Sequence, residues 1–153
     1  VWYPQRAGRV DLVIERAQQH GVASDLVIRQ EIAALISFQR ASEWTALRAR
    51  AARALGRPPG PEGSLGKLAA SQVARMAHRV HTLISGANGM LTTGDHPHDA
   101  TIAEVLVSTP AQSIAGGTDE IQKSIIGEKI LGLARESDPS LELPYREVAR
   151  RSQ

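Results

Sequence analysis

Two adjacent glycines precede a predicted helix start in this chain, within the run Gly116-Gly117-Thr118-Asp119-Glu120. Because glycine has no side chain, the backbone at these two positions can approach a flat or anionic ligand closely. The free N–H groups of a helix N-terminus also favour oxygen-rich ligand groups. Composition alone favours a simple glycine loop that Thr118 caps, and a ligand site is the alternative.

The residue types that could bind a metal lie in two other places. The first is a polar turn that contains Asp95, His96, His98 and Asp99. Pro97 separates the two histidines there, so their rings need not converge on one ion. The second is a predicted helix on which His78 and His81 lie three residues apart, without a matching Glu or His on another helix. We therefore predict no metal site, and we place His78 and His81 on a partly exposed helix face.

The composition sets the class of protein. The chain has 153 residues, of which 42% are hydrophobic and 22% are charged, so it can form one domain with its own core. A formal net charge of +2, without any block of like charge, predicts neither nucleic acid nor a membrane as a partner. The absence of cysteine excludes a disulfide framework, a thiolate nucleophile and cysteine-bound metals.

The hydropathy and the start of the chain carry further expectations. No apolar run reaches the roughly 18 residues that span a bilayer, and Val1–Arg6 lacks the layout of a signal peptide. We therefore expect a cytoplasmic protein. The chain does not begin with methionine, so we also expect a piece of a longer polypeptide.

Apolar residues recur at helical spacing through the first third of the chain. A short helix is predicted from Val10 to His20. Its apolar face consists of Val10, Val13, Ile14 and Ala17. A helix of about 30 residues follows, capped by Ser24 or Asp25 and ended at Gly56. Its apolar stripe consists of Ile28, Ile32, Leu35, Ile36, Leu47, Ala51 and Leu55.

A third helix of similar length is predicted from residues 61–64 to Gly86 or Gly89. Because a short Gly-Pro loop joins it to the second helix, the two must run antiparallel. A shorter helical or extended piece, stopped by Pro110, comes next. No strand with clean alternation is visible in the sequence.

The last predicted helix begins after Thr118, whose hydroxyl can cap it, and ends near Leu131. Asp119 and Glu120 place negative charge on its first turn, which stabilises a helix start. With two long helices and a shorter one on each side, the predicted fold class is all-α, an up-and-down four-helix bundle.

Three motifs carry a resemblance to a known family. The run from Ser113 to Leu133 closely resembles the C-terminal signature of acyl-CoA dehydrogenases. Upstream, Arg57–Leu68 resembles a loop and helix start of that family, and Ser85–Gly89 resembles its glycine-containing turn. Together these motifs place the resemblance over about residues 10–136.

The resemblance implies a domain organisation and an activity. Residues 1–136 would form the C-terminal helical bundle of a flavoenzyme, and residues 137–153 an irregular tail. Such an enzyme oxidises an acyl-CoA to the trans-2-enoyl-CoA with FAD as cofactor. An electron-transfer flavoprotein would be its acceptor, and the chain would assemble as a homo-oligomer or with another acyl-CoA dehydrogenase subunit.

The same resemblance implies which residues contact FAD. Family members use the threonine after the glycine and the residue two further on, which here are Thr118 and Glu120. Gly116 and Gly117 would let the backbone pass close to the cofactor. These four residues are the predicted cofactor-binding set.

Departures from the family pattern concern catalysis. Many members carry the catalytic glutamate at the position of Gly116, so no catalytic residue is predicted in this chain. Either an upstream helix or a partner subunit supplies the base. Leu83 also stands where a glutamine often contacts the flavin, and Val107-Ser108 where many members have Arg-Asp. The alternative function is a non-catalytic helical bundle that serves as a structural or partner subunit without flavin.

Overall fold

The chain was analysed as a computed structural model, which describes residues 7–58, 60–91, 96, 98–135, 143, 144 and 147. Within these residues the fold is all-α, as predicted, and contains no strand. Its five helices are α1 (Val13–Gln19), α2 (Leu26–Ala54), α3 (Glu62–Ser85), α4 (Asp99–Ser108) and α5 (Asp119–Lys129). None of the helices in the described part of the chain is long and apolar enough to cross a membrane.

Helix α3 lies at the centre of the fold and packs against α1, α2, α4 and α5. The two long helices run antiparallel, as predicted. Near one end Arg79 of α3 pairs with Glu31 of α2 at 2.9 Å. Towards the other end Thr45 of α2 and Leu65 of α3 line one cleft.

Side-chain caps start α2 and α5 at the predicted residues. Asp25 Oδ1 accepts hydrogen bonds from the N–H groups of Val27 and Ile28 at 2.8 and 3.0 Å. Thr118 Oγ1 accepts one from the N–H group of Ile121 at 3.3 Å. Each cap satisfies backbone donors that the helix itself leaves unpaired.

Two apolar clusters form the core. The larger joins α1, α2 and α3 and contains Val13, Ala17, Ile28, Leu35, Ala77, Val80 and Ile84. The smaller joins the start of the domain to α4 and contains Leu12, Ile102 and Val105. The larger cluster includes residues of α3, and the smaller one includes residues of α4, which packs against α3. Packing around α3 therefore forms the core.

The apolar faces differ from the prediction in α1 and α2. Ile14 is 52% exposed, whereas Arg16 of the same short helix is buried. In α2 only the first half of the predicted stripe is covered, because Leu47 and Leu55 are 57% and 81% exposed. The reason is length: Thr45 already lies level with the start of α3, so the last turns of α2 extend past it.

The structure decides one open alternative and shifts one helix end. The piece before Pro110 is helical, and α4 then continues into a 3-10 turn over Thr109–Ser113 that contains this proline. Helix α5 ends at Lys129, two residues before the expected Leu131. Most of the predicted tail, 137–153, lies outside the described residues.

Candidate functional site

The two glycines before α5 both adopt left-handed backbone conformations. Gly116 has φ +70° and Gly117 has φ +97°, values that side chains other than glycine rarely adopt. A Cβ atom on Gly117 would lie 2.6 Å from Nε2 of Gln122, whereas no atom lies within 4 Å of such a Cβ on Gly116. The side chain of Gln122 therefore leaves no room for a side chain at position 117, whereas position 116 faces open space.

Gln122 explains the crowding beneath the loop. Its side chain is buried on the first turns of α5, and Nε2 donates to the Gly116 carbonyl oxygen at 3.4 Å. This contact helps to fix the peptide plane of Gly116. Sequence reasoning missed Gln122, although its position four residues after Thr118 places it on the same face of the helix.

Thr118 and Glu120, the two side chains predicted to contact FAD, line one cleft of about 480 Å³. Arg75 and His78 of α3 also line this cleft, together with Ser113. The Thr118 hydroxyl uses a lone pair to cap α5, so its O–H can still donate to a ligand oxygen. The cleft therefore offers the hydroxyl of Thr118 as a donor, the guanidinium and imidazole groups of α3, and the carboxylate of Glu120.

Asp119 does not face the cleft but reaches back to α3. Its carboxylate is buried, hydrogen-bonded by Arg75 and 3.5 Å from Nζ of Lys67. Burial alone would raise the pKa of Asp119, but hydrogen bonds, that from Arg75 first, outweigh it and lower the pKa to about 2. The sequence predicted that Asp119 would stabilise the start of α5, whereas in the structure its side chain contacts Lys67 and Arg75 of α3.

A polar cluster on α3, formed by Lys67, Ser71 and Arg75 together with Asp119, also binds the segment before the loop. Lys67 Nζ donates to the Gln112 carbonyl oxygen at 2.7 Å and to Ser71 Oγ at 2.9 Å. Ser71 Oγ in turn donates to the Gln112 oxygen at 3.0 Å. Arg75 Nη1 also donates to Ser113 Oγ at 2.6 Å. Neither Lys67 nor Ser71 was singled out from the sequence, because their partners lie about forty residues away or more.

A second cleft continues along α3 from the first. It is lined by Arg75, His78, Arg79, Thr82 and Leu83 and has a volume of about 440 Å³. The exposed side of α3 thus connects the Thr118 region with Leu83, the position at which the resemblance implies a glutamine. Leu83 is 39% exposed and offers no hydrogen bond from its side chain.

The described residues of the histidine-containing turn make structural contacts. Asp99 forms a buried ion pair with Arg16 at 2.8 Å, and it accepts a hydrogen bond from the backbone N–H of His96. The His96 and His20 rings lie 4.3 Å apart. Burial, followed by the nearby Arg16 charge, lowers the pKa of His20. His98 is exposed, and Asp95 lies outside the described residues.

His81 differs from the prediction of a partly exposed helix face. Its side chain is fully buried, and Nε2 lies 3.1 Å from the carbonyl oxygens of both Gly8 and Arg9. Because both neighbours are acceptors, Nε2 carries the proton. His78, by contrast, is half-buried at the cleft. His81 is therefore a structural residue, whereas His78 belongs to the candidate site.

Comparisons with known proteins bear on the whole domain. Residues 8–131 match the family described as acyl-CoA dehydrogenase, C-terminal domain. A curated relative, acyl-CoA dehydrogenase IpdE1 of Mycobacterium tuberculosis, is 32% identical over 131 aligned residues, and the match covers 82% of this chain and 31% of the relative. A chain in the crystal structure of the ChsE4-ChsE5 complex from Mycobacterium tuberculosis shares the fold, with a TM-score of 0.69 and 20% identity. That match covers 86% of this chain and 36% of the other, so this chain spans about a third of either protein.

Proposed function

The chain belongs to the acyl-CoA dehydrogenase family, whose C-terminal domain it contains, and we propose that it forms the FAD-contacting and oligomer-forming part of a flavin-dependent enzyme. The reaction we propose is the oxidation of an acyl-CoA thioester to its trans-2-enoyl-CoA. The observation that carries the proposal is the loop before α5. There, two left-handed glycines directly precede Thr118, which lines one open cleft together with Glu120.

The residues of this loop fit a flavin. The backbone at Gly116 faces open space, so an extended, oxygen-rich ligand can lie against it without meeting a side chain. The Thr118 hydroxyl and the N-terminus of α5 offer hydrogen-bond donors to such oxygens. We assign FAD contacts to Gly116, Gly117, Thr118 and Glu120. When bound, FAD would supply the hydride acceptor.

The base that removes the α-proton comes from elsewhere in the proposed enzyme, because Glu120, the carboxylate that lines the cleft, is assigned to the cofactor. Gly116 has no carboxylate, and that of Asp119 is buried between Arg75 and Lys67. Its lowered pKa, about 2, makes it a poor proton acceptor. We therefore assign the base to an upstream segment or to a partner subunit. An electron-transfer flavoprotein is the proposed electron acceptor.

Assembly with a second subunit is the other half of the proposal. Several large apolar side chains of the two outer helices are more than 40% exposed: Leu26, Val27, Trp44 and Leu47 of α2, and Ile121 of α5 with the following Ile130. Exposed apolar area on this scale favours association. The chain of similar fold comes from a ChsE4-ChsE5 complex, which supports assembly with a second subunit. We propose either a homo-oligomer or a pair of different subunits.

A second candidate function is a partner subunit without flavin. Leu83 and Gly116 favour it, because each position lacks a polar side chain that the family often provides. In this case the bundle would keep the oligomer surface and the loop conformation, but it would contribute no cofactor-binding energy.

Flavin binding tests the first candidate against the second. The chain is coexpressed with the family subunit or segment that completes it, and bound flavin is measured by absorbance. We expect FAD to copurify with the assembly, little or none with this chain alone, and a loss of FAD in Thr118→Val. Thr45→Val is the matched control, because the Thr45 hydroxyl only donates to Ala41 within exposed α2. An assembly without FAD would support the structural-subunit function.

Light scattering tests the oligomer. We expect a dimer or tetramer at micromolar concentration, and dissociation in Leu47→Arg because a charge would enter the apolar contact. Ala46→Arg, a change at another exposed position of the same helix, is the control. A strictly monomeric protein in the presence and absence of a family partner would contradict the oligomer proposal.

A further inference from the structure

We propose that Asp119 is a positioning residue for the cofactor loop, held between Lys67 and Arg75 of α3 so that the loop at 116–118 keeps its ligand-binding shape. The flavin part of this inference rests on the proposed function. The structural part, that this cluster fixes the loop, stands on the contacts of this chain alone.

The cluster attaches both ends of the loop to one helix. Before the loop, the Gln112 carbonyl oxygen accepts hydrogen bonds from Lys67 and Ser71 at 2.7 and 3.0 Å. After the loop, the carboxylate of Asp119 contacts Arg75 and Lys67. Only residues 113–118 lie between these two attachment points. Both glycines are therefore confined by short connections to the same two turns of α3.

The burial of Asp119 is not needed to stabilise the start of α5. An exposed carboxylate at this position already interacts favourably with the helix N-terminus. Here the side chain is only 7% exposed, and Lys67 beside it is 16% exposed. Burying these charges costs free energy that only their mutual contacts recover. A well-defined geometry is the benefit that an exposed carboxylate would not provide.

Arg75 connects the cluster to the cleft. Its guanidinium donates to Asp119, to Ser113 Oγ at 2.6 Å and to Gln72 Oε1 at 2.8 Å. The same side chain lines the cleft that contains Thr118 and Glu120, and it is 42% exposed there. Asp119 therefore sets the position of a cleft residue as well as that of the loop.

Two explanations of Asp119 predict opposite effects on ligand affinity. The cluster has two positive side chains and one negative one, so Asp119→Asn would make the cleft more positive. If Asp119 acted only through its charge, this substitution would strengthen the binding of an anionic cofactor such as FAD. If Asp119 acts by position, the loosened loop weakens the binding despite the added positive potential.

Hydrogen exchange measured by mass spectrometry on the full chain tests the structural part. We expect the amides of residues 113–122 to exchange about tenfold faster in Asp119→Asn, with little change in α2 and the core of α3. Lys67→Gln should have a similar local effect, and Lys67→Arg should restore much of the protection. Asp25→Asn is the control, since Asp25 caps a helix without a buried ion pair. Unchanged exchange in the loop, or equal acceleration throughout the chain, would overturn the positioning role.

Flavin titration of the assembled enzyme tests the functional part. We expect the FAD dissociation constant to rise about tenfold in Asp119→Asn. It should also rise in Lys67→Gln, whereas in Lys67→Arg it should stay closer to the original value. Tighter FAD binding in Asp119→Asn would refute positioning in favour of a charge effect. If the unmodified assembly binds no FAD, the proposed function fails, whereas the exchange experiment still decides whether the cluster fixes the loop.

Discussion

The side chain of Gln122 occupies the space that a side chain on Gly117 would need. Its Nε2 atom would lie 2.6 Å from a Cβ atom at position 117, and it donates to the Gly116 carbonyl oxygen. The glycine requirement at position 117 thus has two causes, the left-handed φ of +97° and the buried amide. At position 116 only the first cause applies, because nothing lies within 4 Å of the corresponding Cβ.

Gly117→Ala should therefore destabilise the chain more than a left-handed conformation alone explains. The conformational part costs about 1–2 kcal/mol, and displacement of Gln122 adds to it. Gly21→Ala is the control, because Gly21 has φ +69° and free space around it. Urea unfolding of both variants measures the difference. In a Gln122→Ala background the excess cost at Gly117 should disappear, and its persistence would contradict the steric explanation.

Gly116→Glu places a carboxylate where the resemblance to the family implies its usual base. We expect turnover in the assembled enzyme to stay flat or fall, because φ +70° strains any side chain and a second carboxylate would perturb a site that already has its base. Reduction of an acceptor dye measures turnover. Gly116→Gln introduces the same strain without the carboxylate and serves as the control. A large gain in Gly116→Glu alone would show that the base was lost from this position.

Arg16→Met should strongly destabilise the fold. The substitution leaves the buried carboxylate of Asp99 without its cation, and loss of one partner from a buried pair costs about 3–5 kcal/mol. Arg9→Met is the comparison, because the Arg9–Asp11 pair is exposed and should be worth at most about 1 kcal/mol. Denaturant unfolding gives both values. Equal effects of the two substitutions would contradict the importance assigned to burial.

His81 should make stability depend on pH. Burial is the main cause that lowers its pKa from 6.5 to about 4 in the folded chain. Between these values the unfolded chain binds a proton that the folded chain does not, so stability falls as the pH drops through this window. The full effect is about 3 kcal/mol, at about 1.4 kcal/mol per pKa unit.

Unfolding free energies measured from pH 7 to pH 4 check this prediction. His81→Gln removes the titrating group, while its amide can still donate to the Gly8 or Arg9 carbonyl oxygen. The slope of stability with pH should therefore be smaller in this variant. An unchanged slope would assign the pH dependence to other groups, such as His20, whose pKa is also lowered.

Local sequence signals predicted the helices and their starts well. Helical spacing of apolar residues identified α2 and α3, and Asp25 and Thr118 cap their helices as expected. The same spacing misjudged Ile14, Leu47 and Leu55, which are exposed. An apolar stripe shows which face of a helix can be buried. It does not show how far a neighbouring helix extends along that face.

The sequence by itself determined the all-helical class, the family and the position of the two glycines before α5. These properties depend on residues that are adjacent or one helical turn apart. Only the tertiary structure decided which charges are buried, because Arg16 and Asp99 are 83 residues apart and Lys67 and Asp119 are 52 apart. Such pairs form when helix packing brings two faces together and removes water from both. No local pattern encodes that event, so the residues that hold the candidate site in shape became visible only in the folded chain.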